Sequence, residues 1–131
     1  MNYVLIAIGG ALGSVARYAC SVWIGGRTES LLPWGTIVVN VLGSFVIGAI
    51  AGALEPSSRL ALSQVARDNV NYFWMIGVLG GFTTFSSFSL QTLSLMREQN
   101  WGLASANVLL SVAICFLAVW LGFVIASAFT R

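Results

Sequence analysis

Apolar residues run in four long stretches along this chain, from about Tyr3 to Ile24, Trp34 to Leu54, Tyr72 to Met96 and Leu103 to Ala128, with most charged residues between them. Each stretch reaches the roughly 20 residues that cross a 30 Å hydrocarbon core at 1.5 Å per residue. The pattern therefore predicts an all-α membrane protein with four transmembrane helices forming one domain over residues 1–131. A signal peptide is the weaker reading of the first stretch. It has no basic leading segment, carries Arg17 inside it and precedes three spans of similar strength. The connections, Gly25 to Pro33, Glu55 to Asn71 and Arg97 to Gly102, are too short to hold a soluble domain.

Composition narrows the function. Hydrophobic residues make up 58% of the chain and charged residues 8%, with a mean hydropathy of +0.91; a soluble domain has about a quarter of its residues charged. The net charge of +2 comes from six arginines and four acids, too sparse a set for the basic patch of a nucleic-acid binder. There is no histidine, and Cys20 and Cys115 both lie in apolar stretches, so the usual zinc, haem and thiol-redox sites lack ligands. With no nucleotide-binding motif either, neither a cytosolic enzyme nor a pump is expected. A four-helix unit of this size encloses little interior, so a transported solute would pass at an interface between copies.

Charge also bears on orientation. Four spans put both termini and the Glu55 to Asn71 loop on one side with Arg59, Arg67 and Arg131, against Arg27 and Arg97 on the other. Assigning Arg17 to the nearer end of its helix makes the count three against three. Orientation follows a clear excess of positive charge on one side, and here there is none. The chain is predicted to insert both ways up, so that opposed copies pair about a twofold axis in the membrane plane.

The polar residues within the spans point to the sign of the solute. Glu29, Glu55, Asp68 and Glu98 all lie in loops or at span edges, so no span holds the carboxylate that proton-coupled exporters of organic cations commonly keep there. Neutral donors remain. Asn40 sits inside the second span, where its amide either bonds a neighbouring helix or donates to an anion. Asn107, Ser111 and Cys115 follow at i, i+4 and i+8 and share a face, as a polar track or as small-residue packing. In the third span, adjacent Gly80 and Gly81 lead into the hydroxyl-rich run Thr83 to Ser89. Glycines weaken a helix and hydroxyls can satisfy freed backbone groups, so a break is expected near mid-membrane, around Thr84. Unwound carbonyls at that depth are a recurrent cation site. Phe85 and Phe88 lie on neighbouring helical positions, ordinarily for packing, although a ring turned edge-on attracts an anion. Gln91 is one turn further on. Arg17 either anchors its helix at the interface or lends positive potential to a vestibule. Donors and an arginine without acids predict a negative solute. The pairs Gly9 and Gly13, Gly48 and Gly52, and Gly77 and Gly81 read as sites of close helix approach.

The run Gly9-Gly10-Ala11-Leu12-Gly13 with Arg17-Tyr18, then Trp34-Gly35-Thr36 with Asn40, Gly43 and Gly48, then Gly77 through Phe88, closely resembles the CrcB/Fluc fluoride channels over essentially the whole chain. The third-span motif is its specific part. The resemblance implies an antiparallel, dual-topology homodimer in the bacterial plasma membrane, with two fluoride pores for passive efflux and a structural sodium ion on the axis. Carried over by position, the carbonyls of Gly80 and Thr83 from both copies would hold Na⁺. Asn40, Phe85, Phe88, Asn107 and Ser111 would line the fluoride pathway, with Thr36, Gln91 and Cys115 as further members of the polar track and Arg17 near the wide vestibule. Three positions depart from the family's pattern: Ser87 stands where Thr is usual, Gln91 where relatives often place Glu, and Cys115 where Ser can occur. The competing functions are a small dual-topology multidrug or guanidinium-type exporter and a non-conducting membrane scaffold.

Overall fold

The computed structural model describes residues 2–56, 58–60 and 62–131. In chain order its elements are α1 (Asn2–Gly25), α2 (Trp34–Ala53), α3 (Gln64–Val70), a π-helical stretch (Asn71–Leu79), α4 (Gly80–Phe82), α5 (Phe85–Arg97) and α6 (Trp101–Thr130). Four helical units are long and apolar enough to cross a membrane: Asn2–Gly25, Trp34–Ala53, Gln64–Arg97 and Trp101–Thr130. The architecture is all-α and multi-span, as the hydrophobic pattern predicts.

The third unit starts eight residues before the expected Tyr72. Ser63 caps α3, its hydroxyl accepting from the Ala66 amide at 3.3 Å, and Gln64 Nε2 donates to Asp68 Oδ1 one turn on, at 2.9 Å. These polar, interface-level contacts extend a helix past the end of its apolar run.

The hydrogen bonds at one end fix the course of the chain. The Arg59 amide donates to Thr130 O at 2.6 Å, Arg131 pairs with Glu55 at 3.6 Å, and the Arg67 guanidinium donates to the carbonyls of Leu54, Leu60 and Leu62. The connection after α2 and the end of α6 therefore lie together. At the other end, Gln91 of α5 meets the connection between α1 and α2.

Packing is closest between α2 and α6 and between α1 and the third unit. Glycine makes both approaches possible. A Cβ on Gly48 would fall on the backbone of Val119, one on Gly122 on the backbone of Phe45, and one on Gly13 on Val78 O. Apolar lipid gives helices little hydrophobic reason to associate, so such backbone proximity, with its dense van der Waals contact, does much of the joining.

Two residues between α4 and α5 are extended: Thr83 at φ −81° and ψ 157°, and Thr84 at φ −151° and ψ 116°. Gly80 and Gly81, in contrast, stay helical. Gly81 serves contact rather than unwinding, since a Cβ there would come within 2.5 Å of Gly10 O on α1.

Candidate functional site

The extended pair is held by side chains. Thr84 N–H donates to Asn40 Oδ1 at 2.8 Å, and Asn40 Nδ2 donates back to Thr84 O at 3.0 Å. The Thr84 hydroxyl accepts from the Ser87 amide at 3.1 Å and so caps α5. Asn40 thus acts as a clamp between α2 and the non-helical segment, which is the interhelical role open to it from sequence. One of its two amide protons is not used by this clamp.

The clamp has a consequence for two carbonyls. In a continuous helix Gly80 O would accept from the Thr84 amide and Thr83 O from the Ser87 amide. Here those amides go to Asn40 and to the Thr84 hydroxyl. Both carbonyls are thereby left without their ordinary helical donors, as oxygen ligands suited to a hard cation.

Beside this segment is a cavity of about 380 Å³ whose polar lining comes from Asn40, Ser44, Thr83, Thr84, Ser111 and Cys115. Phe85 and Phe88 line it too, with ring centroids 5.3 Å apart and planes inclined at 49°. Phe88 is 8% exposed and Phe85 77%, so one ring is packed into the chain and the other stands on its surface. A second cavity, of about 250 Å³, adjoins the connection between α1 and α2 and is bordered by Ser21, Thr28, Ser30, Thr36 and Gln91. Thr36 precedes Asn40 by one turn of α2, and Gln91 follows Phe88 by about one turn of α5. The two cavities therefore succeed one another along the same pair of helices. Gln91 Oε1 is buried without a hydrogen-bond partner among the described residues.

Of the residues singled out from sequence, Asn40, Gly80, Thr83, Phe85, Phe88, Ser111 and Cys115 come together at the first cavity, and Thr36 and Gln91 at the second. Arg17, half-buried on α1, borders neither. Asn107 also borders neither and is completely buried, at 0% exposure. Its Nδ2 donates to Thr92 Oγ1 at 2.9 Å, and Ser111 Oγ donates to its Oδ1 at 3.4 Å. It stands behind Ser111 rather than on the cavity wall, with its amide group bonded to neighbours on α5 and α6. Thr92 is missed by sequence reasoning, and Thr84 is read there only as the centre of the expected break. The only signal for Thr92 is its place four residues after Phe88, where a hydroxyl can reach back to a carbonyl; it does so at 2.8 Å.

Residues 4–123 match the profile of the family described as "CrcB-like protein, Camphor Resistance (CrcB)". A protein of Opitutus terrae named fluoride-specific ion channel FluC is 52% identical over 124 residues, covering 95% of this chain and 91% of that one. Relatives of the same name in Methylocella silvestris and Rhodospirillum rubrum are 47% and 50% identical, the former over all of this chain and 97% of its own length, the latter over 95% and 93%.

Proposed function

The chain belongs to the CrcB-like family, and from this membership we infer that it is a fluoride-specific ion channel, a multi-pass membrane protein that lets fluoride leave the cell passively. The observation that carries the reading is the first cavity, where a free amide proton, a hydroxyl and two aromatic rings converge beside a helix interruption.

Fluoride is small and holds its water tightly. A pore must replace that water with several donors, none binding so well that release is slow. The second amide proton of Asn40, the Ser111 hydroxyl and the positive edges of Phe85 and Phe88 are such donors. Thr36 and Gln91 continue the path into the second cavity, where the ion regains water. Outward flow needs no energy input. HF crosses from acidic surroundings as a neutral acid and dissociates inside, and the membrane potential expels the anion.

The working unit is a pair of antiparallel copies. In one copy the extended Thr83-Thr84 backbone borders an open cavity beside exposed Gly80 and Phe85. Irregular backbone at membrane depth is tolerated only against protein or water, not against lipid, so a second copy covers this face. The even division of arginines allows opposed insertion, and a reporter joined after Arg131 should be reached from both sides of the membrane. On the twofold axis, the carbonyls of Gly80 and Thr83 from both copies would hold a sodium ion, which would offset converging carbonyl dipoles and brace the junction.

The aromatic part of the path is tested by replacing both rings. Phe85→Ile with Phe88→Ile should abolish fluoride efflux from liposomes while the protein still elutes as a dimer. Retained flux in that variant would remove the ring edges from the mechanism.

A further inference from the structure

The hydrogen-bond chain behind the first cavity fixes which way its hydroxyl groups point. Thr92 Oγ1 lies 2.8 Å from Phe88 O, and a carbonyl can only accept, so the Thr92 proton is committed there. Thr92 can then only accept from Asn107, which requires Asn107 Nδ2 to face it, at 2.9 Å. The Asn107 amide has no freedom to flip, and its Oδ1 necessarily faces Ser111. The Ser111 proton points away from the cavity toward that oxygen, at 3.4 Å, near the long limit for such a bond.

We propose that Asn107 is a positioning residue that sets the fluoride affinity of the pore by competing for the Ser111 proton. This rests on the channel reading above. At rest, Ser111 turns lone pairs toward the cavity. An arriving anion draws the hydroxyl round, which is easy because the bond it leaves is long. Turning orphans Asn107 Oδ1, and at 0% exposure no solvent can reach that oxygen. The orphaned acceptor recovers the proton, Ser111 turns back and the ion is released. The pair thus works as a restoring element, exchanging one hydroxyl proton's direction with no bond made or broken. Ser111 touches the ion, and Asn107 acts only through it.

The test is a double-mutant cycle on fluoride efflux from liposomes, recorded against internal fluoride concentration for the full chain, Asn107→Leu, Ser111→Ala and the double variant. Without its competitor, Ser111 keeps the ion longer. Asn107→Leu should therefore lower the half-saturating concentration by about fivefold, the worth of one hydrogen bond, and lower the maximal rate. Ser111→Ala should raise the half-saturating concentration, and in that background Asn107→Leu should shift it no further. An equal shift in both backgrounds, or none in either, overturns the proposal. If Asn107→Leu does not yield folded dimer, Asn107→Ala, which only truncates the side chain, is read by the same criteria. Absence of flux in the full chain would count against the channel itself, whereas flux with additive shifts would count against the role of Asn107 alone.

Discussion

In the proposed channel Asn40 carries two duties that compete. Its carbonyl and one amide proton hold Thr84, so it fixes the interrupted helix, and only the remaining proton is left for an anion. Asn40→Leu should lower the thermal midpoint through a loss of about 2 kcal/mol, since a buried donor and acceptor lose their partner, and should stop flux. Asn40→Asp keeps an acceptor for the Thr84 amide but sets a second carboxylate oxygen against Thr84 O and places negative charge in the cavity, so it should also lower the thermal midpoint and conduct no better. If Asn40→Asp conducted normally, the amide would have no part in the path. The sequence made Asn40 conspicuous as a polar group in a span, but not its partner, because Thr84 is 44 positions away and the pairing depends on a local unwinding. Asn107 was equally conspicuous. That it is bonded to Thr92 and Ser111 depends on how α5 packs against α6, which helical spacing alone does not give.

At the scale of elements, apolar runs of membrane length fixed the number of helices and most of their limits. Where the run and the helix differ, as at Gln64 to Asn71, polar capping extends the helix beyond the hydrocarbon-length signal. The adjacent glycines at 80 and 81 were legible as special, yet both remain helical and only Gly81 serves the approach of α1. The extended residues are the threonines after them, whose backbone groups find Asn40 and whose hydroxyl caps α5. The π-helical stretch Asn71–Leu79 has no signature in the hydrophobic pattern. If carbonyls of the interruption hold sodium at the axis, exhaustive removal of Na⁺ from the purified dimer should reduce activity or dissociate the copies, and restoring Na⁺ should reverse the loss. Indifference to Na⁺ would leave the interruption with a packing role only.

The whole molecule is small, and its surface is the larger part of its chemistry. A single copy leaves Phe85 and the edge of the interruption uncovered, and lipid does not satisfy irregular backbone; the proposed opposed copy would cover both. Membership of the CrcB-like family, with relatives named as fluoride-specific channels, points to the ion, and the donors at the first cavity offer a way to hold and release it. The decisive measurement is efflux from liposomes reconstituted with the purified chain, read with a fluoride electrode and with chloride followed in parallel. Rapid fluoride loss with negligible chloride loss is expected. No loss of fluoride from protein shown to be folded and dimeric, or equal loss of both ions, would contradict a selective passive channel.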